Sequence, residues 1–157
     1  MRHDWQVLFV VFALSWAVVA NGEGNPFYDK SYAIVIGIDR YVSTDVESLD
    51  YAVKDAKAMA DQLGSLGFEV VALYNEQATR SAILRVLENE LAPKLGPEDR
   101  VVFFFAGHGH TVRRGGRDWG YIVPHDGTIS AEYISMEELR RQSEVLGAAK
   151  HQLFLMD

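Results

Sequence analysis

With 157 residues, of which 48% are apolar and 24% charged, the chain has the composition of a folded domain rather than of a disordered segment. Its formal net charge of −7 argues against a nucleic-acid partner, because no broad basic surface is available to neutralise phosphates. No cysteine is present, which excludes within these residues a disulfide framework, a thiolate-bound zinc ion and a thiol nucleophile.

At the start, Arg2 and His3 precede an uncharged apolar run over residues 7–20, followed by the small residues Ala20 and Gly22. A charged beginning, a short apolar stretch and a small-residue exit read as a secretory signal peptide over residues 1–22. The run falls short of the ~20 residues that cross a bilayer, so a retained membrane anchor stands as the alternative. The expected location is therefore secreted or periplasmic, with no stable membrane association after cleavage. Residues 23–31, polar and broken by Pro26, read as a linker into a domain over residues 32–157.

Residues 32–38 (YAIVIGI) form a short apolar run rich in β-branched side chains, as expected of a strand covered on both faces. Residues 49–66 place Ala52, Ala56, Met59, Ala60 and Leu63 at helical spacing, and Gly64 and Gly67 end the pattern. A second strand is expected over residues 68–74 (FEVVALY). A helix follows over residues 79–95, with Thr79 as N-cap and Ile83, Leu84, Leu87 and Leu91 as its buried stripe. Residues 100–106 (RVVFFFA) read as a central strand. A polar loop over residues 107–118 then leads to a short strand at residues 120–124 (GYIVP). Ser135 and Glu138 have the spacing of a capping box for a short helix over residues 135–143, and residues 152–156 (QLFLM) open a last strand. Alternation of this kind predicts an α/β fold, a mostly parallel sheet with helices on both faces.

In such sheets sites collect at the C-terminal ends of strands, which singles out Asp39, the Gly107-His108-Gly109 segment and Asp157. A histidine between glycines at the end of an aromatic strand suits general acid–base work, because imidazole exchanges protons near neutral pH. The residues alone leave open a simpler reading, in which His108 merely ends the strand and bonds to backbone. Asp39 either lines the cleft or caps a turn. His110 and His125 lack the helical carboxylate–histidine spacing of a metal site. Trp119 and Tyr121 are expected to pack the sheet edge, and the run Arg113, Arg114 and Arg117 to form a solvated loop tip, with a self-processing site as the alternative.

Taken in order, YAIVIGID (32–39), LDYAVKDAKAMAD (49–61), GFEVVALY (67–74), VVFFFAGHG (101–109), GYIVPHD (120–126) and HQLFLMD (151–157) resemble the landmarks of the caspase/metacaspase-like cysteine peptidases, peptidase family C14. The resemblance covers residues 32–157. It implies a caspase-like three-layer sandwich, incomplete here, and a cysteine endopeptidase acting through a Cys-His dyad. By position, His108 corresponds to the family's catalytic histidine, with Gly109 as a candidate oxyanion-hole amide. Asp55 and Asp157 correspond to the acidic residues that bind a basic side chain in metacaspase-like members, which implies cleavage of protein or peptide substrates after Arg or Lys.

The corresponding nucleophile would lie two residues beyond Asp157, so these residues alone are expected to be inactive. Calcium activation is not supported, because the segment after the histidine is rich in arginine, and no other cofactor is expected. The alternatives are a non-catalytic caspase-homology module that binds peptides, and a generic doubly wound α/β domain. The latter is disfavoured by the lack of a phosphate-binding glycine loop in residues 36–41 (IGIDRY).

Overall fold

A computed structural model describes residues 27–157, so the leader read over residues 1–22 lies outside the described residues. Among the described residues, no helix is long and apolar enough to cross a membrane.

Four parallel strands make the main sheet in the order β2-β1-β3-β7, with β1 at Ser31–Gly37, β2 at Glu69–Tyr74, β3 at Arg100–Ala106 and β7 at His151–Met156. Strands β1 and β3 pair with each other in the middle, which is why both read as unbroken apolar runs. Because side chains alternate along a strand, each run splits between two cores. Ile34, Ile36, Phe103 and Phe105 face one core, and Ala33, Val35, Val102 and Phe104 face the other.

Helix α1 (Ala52–Ser65) covers the second core with Ala52, Ala56 and Leu63. Helices α2 (Arg80–Arg85) and α3 (Met136–Val145) cover the first, through Ile83 and Leu139. The result is the α/β three-layer sandwich expected from the sequence. Gly37 sets the separation of sheet and helix on the α1 side. A Cβ there would lie 2.5 Å from Ala56 Cβ and 2.9 Å from the Ala52 carbonyl oxygen, so only glycine lets α1 approach this closely.

Two expectations are corrected. The helix expected over residues 79–95 begins as read, with the Thr79 side chain accepting from the Ala82 N–H at 3.2 Å. It is α-helical only to Arg85, then widens into a π-helical turn over Val86–Leu91 and tightens into a 3-10 turn over Ala92–Lys94. Val86 and Leu87, three and four residues after Ile83, are both buried, at 1% and 0% exposure, as ordinary helical spacing gives, while Leu84 is only half-buried. The apolar spacing therefore carries no mark of the widened turn.

The polar loop expected over residues 107–118 is instead a hairpin of β4 (Gly109–Arg114) and β5 (Arg117–Ile122), joined in a small antiparallel sheet by β6 (Ile134–Ser135). Gly115 and Gly116 form its turn with φ of 59° and 77°, the two left-handed positions that a tight two-residue hairpin requires. Exposed strands need no apolar alternation, so the pattern was silent while the glycine pair carried the signal. The capping box at α3 is half formed: Ser135 Oγ accepts from the Glu138 N–H at 3.0 Å, but the Glu138 carboxylate is engaged by Arg80 at 2.6 Å.

Candidate active site

At the C-terminal edge of the main sheet, β1, β3 and β7 end side by side. Gly37 pairs with Ala106 and Phe105 with Met156, while the Asp157 N–H donates to the Phe105 carbonyl at 2.9 Å. A cleft of 330 Å³ opens there, and Asp55, His108, Gly109 and Asp157 all line it together with Asp50 and Tyr51. The four residues named from the sequence therefore share one concavity. Asp55 reaches it because it sits in the first turn of α1, at the helix end nearest the strand termini. Among the described residues that line this cleft, Asp50, Asp55 and Asp157 are carboxylates and none is Lys or Arg, so its field is acidic.

His108 is held on three sides. Its N–H donates to the Tyr41 hydroxyl at 2.8 Å, its carbonyl accepts from the Val123 N–H at 2.9 Å, and its Nε2 lies 2.8 Å from the Glu47 carbonyl. A carbonyl only accepts, so Nε2 carries a proton in that contact and the neutral ring presents Nδ1 as its basic atom. The Tyr41 ring packs beside the imidazole, with centroids 5.3 Å apart. Burial raises the Tyr41 phenol to about 12, so it is a neutral donor and acceptor at physiological pH.

The two glycines beside the histidine differ. A Cβ on Gly107 would stand 2.9 Å from both the Tyr41 hydroxyl and Phe105, whereas one on Gly109 would meet only the Tyr121 carbonyl at 3.7 Å. Gly107 is thus required by packing behind the histidine. The Val123-to-His108 bond makes Gly109–Ile122 a non-hydrogen-bonded pair of the ladder, which turns the Gly109 N–H away from β5.

Asp39 does not line the cleft. Its carboxylate accepts from the Val53 N–H at 3.0 Å, satisfying a free donor in the first turn of α1. Asn75 was not singled out from the sequence, yet its side-chain oxygen accepts from the N–H groups of Asp39 and Arg40 at 2.9 and 3.1 Å and fastens the β1–α1 loop. Its own φ of 45° is one that asparagine tolerates. His125 joins the same loop through Nδ1 and the Arg40 carbonyl at 2.6 Å. His110 lies on β4 against Tyr133, with ring centroids 5.4 Å apart. Among the described residues, no three acidic or histidine side chains gather as a metal-ligand set.

The sequence matches the caspase domain family, peptidase C14, over residues 30–157. It is 30% identical over 132 residues to a protein described as a probable protease from a Desulfuromonadales bacterium, covering 70% of this chain and 16% of that relative. A crystal structure of a Geobacter sulfurreducens protein superposes with a TM-score of 0.70 at 21% identity, covering 82% of this chain and 50% of the other, a likeness of fold. The chain thus spans a minor part of its curated relative and half of its structural neighbour. On the extent of the family match, this chain belongs to the caspase domain family, peptidase C14.

Proposed function

We propose that the cleft is the substrate site of an exported cysteine endopeptidase that cuts after Arg or Lys, with His108 as the acid–base residue. The observation that carries this reading is the convergence of His108, Gly109, Asp55 and Asp157 on one cleft. In the proposed reaction a thiol two positions beyond Asp157 gives its proton to His108 Nδ1 and attacks the scissile carbonyl. The resulting oxyanion accepts from the Gly109 N–H. Collapse expels the amine, which takes the proton back from His108. Water, deprotonated by the same nitrogen, then hydrolyses the thioester and releases the acid. The Glu47 carbonyl supports these steps by fixing the tautomer that leaves Nδ1 free.

Asp55 and Asp157 bind the basic side chain before the cut. A guanidinium offers a planar pair of donors to a carboxylate, which is the chemical basis for preferring Arg. A second reading, in which the same cleft binds basic peptides without cutting them, rests on the same acidic lining.

Peptide amides ending in Arg, Lys or Asp, assayed with the complete protein and its His108→Ala variant, test both. Cleavage after Arg and Lys that disappears in the variant supports the peptidase. Binding of the Arg peptide without turnover supports the second reading. Indifference to the terminal residue refutes the acidic pocket.

A further inference from the structure

We infer that the side of the β4–β5 hairpin facing α3 is a second subsite, which takes an acidic stretch of a polypeptide. A cavity of 390 Å³ lies there, lined among others by Arg114, Trp119, Tyr121, Tyr133, Ser135 and Arg141. In the hairpin register Arg114 is opposite Arg117, Val112 opposite Trp119, and His110 opposite Tyr121. Directly opposed residues of an antiparallel pair share a face. Two guanidinium groups therefore stand across from each other at the tip, in front of an aromatic wall.

Like charges placed directly opposite destabilise a hairpin unless something neutralises them. Among the described residues neither Arg114 nor Arg117 has a carboxylate partner, whereas Arg113, on the other face, has Asp118 at 4.0 Å. The carboxylates lining the cavity are already engaged: Glu138 by Arg80 at 2.6 Å, and Glu137 by Arg140 at 2.8 Å, with Arg141 adding to the field on Glu137. The positive charge of Arg114 and of Arg117 opposite it is therefore available to an anion from outside, while that of Arg141 is shared with Glu137. A chain of net charge −7 repels acidic molecules at long range, so such an anion is held by local contact.

The choice of a peptide rests on the proposed peptide-binding role of the cleft. Strand β4 begins at Gly109, beside His108, and ends at Arg114. At about 3.4 Å per residue, the two sites are roughly 17 Å apart along the strand. An extended chain with a basic side chain between Asp55 and Asp157 would bring a residue about five positions away to the arginines. Carboxylates there would complete charge-assisted pairs, with neighbouring apolar groups against Trp119 and Tyr121.

The test uses the full chain and fluorescein-labelled peptides, followed by anisotropy. One set carries an Arg and an Asp-Glu-Asp triad about five residues to either side of it, a second replaces the triad with Asn-Gln-Asn, and a third carries the triad without Arg. At least one placement of the triad should tighten binding roughly tenfold over its amide twin, about 1.4 kcal/mol, and raised salt should weaken that gain. Arg114→Glu with Arg117→Glu should abolish the gain, and the milder Arg114→Gln with Arg117→Gln should reduce it, with unchanged circular dichroism. Asp55→Asn with Asp157→Asn should weaken the Arg peptides and leave the ratio intact. Equal binding of triad and amide peptides, or a gain that survives charge reversal, overturns the inference. Loss of Arg dependence with the acid dependence retained removes the cleft reading and leaves this subsite standing.

Discussion

The hydroxyl of Tyr41 accepts a hydrogen bond from the His108 N–H at 2.8 Å and lies 3.2 Å from the Ile38 carbonyl, to which it donates. One phenol thereby ties the residue just after β1 to the residue just before the β4–β5 hairpin, and it fixes the backbone from which the imidazole projects. Tyr41→Phe keeps the ring contact but leaves the His108 N–H without its acceptor, at a cost of about 1–2 kcal/mol. Urea titration should show that loss. In the complete protein, kcat should fall with little change in KM, because the substituted group positions the base and does not touch substrate. A variant with unchanged kcat would deny Tyr41 that positioning role.

Alkaline conditions should expose the same residue. The phenol sits at about 12 in the folded chain because burial disfavours its anion, against about 10 in the unfolded chain. The raised folded value means that the native state holds its proton longer than the unfolded state does. Stability from this group is therefore fully present below pH 10 and is lost as pH rises towards 12. Urea midpoints measured at pH 9 and pH 11 should drop further for the wild type than for Tyr41→Phe. Parallel drops would contradict the assignment.

Gly37 offers a test of how closely α1 must pack. In Gly37→Ala the added methyl meets Ala56 Cβ at 2.5 Å and the α1 backbone at 2.9 Å, atoms that cannot rotate aside. The helix must shift, costing about 1–3 kcal/mol, and Asp55 shifts with it. We expect a lower thermal midpoint together with weaker binding of Arg peptides. Gly64→Ala, inside α1 with no atom within 4 Å of the new methyl, serves as a control that leaves peptide binding unchanged and raises the thermal midpoint, because alanine favours a helix over glycine.

Asp39 is a structural carboxylate here, bonded to the Val53 N–H at 3.0 Å. Asp39→Ala should destabilise the chain by about 1 kcal/mol and Asp39→Asn by much less, since asparagine caps nearly as well. Denaturant melts of the two variants distinguish this role from one in peptide binding, which would fail in both.

Within the cleft, His108→Ala in the complete protein should abolish turnover. Asp55→Ala and Asp157→Ala should each weaken cleavage after basic residues. Neither aspartate is bonded through its side chain to another part of the fold, and both are exposed, so melts should move by less than about 0.5 kcal/mol. Kinetics on Arg peptides set beside those melts decide whether the aspartates act on substrate or on folding.

Much of this molecule was legible in one dimension. The apolar runs of β1 and β3 could be read because both strands are covered on two faces, and burial writes itself as uninterrupted hydrophobicity. Thr79 and Ser135 announced their helices because a cap is a local interaction between neighbours in the chain. The residues His108, Gly109, Asp55 and Asp157 could be named from the order of the segments they belong to. Their meeting in one cleft followed from parallel strands ending at a common edge.

Other features leave no mark in the apolar pattern. The π-helical turn over Val86–Leu91 leaves the helical spacing of the buried residues unchanged, and the polar strands β4 and β5 are held by backbone pairing, with only the Gly115-Gly116 turn to mark them in the sequence. Tyr41 and Asn75 act through single oxygens on backbone groups far along the chain. The opposition of Arg114 and Arg117 exists only in the hairpin register. Sequence by itself determined the strands of the main sheet and the starts of the capped helices, because burial and capping are set by neighbours, and it named candidates for the site. Tertiary structure alone decided how the histidine is held and where charge is left unpaired, because those depend on distances between residues that the chain order does not contain.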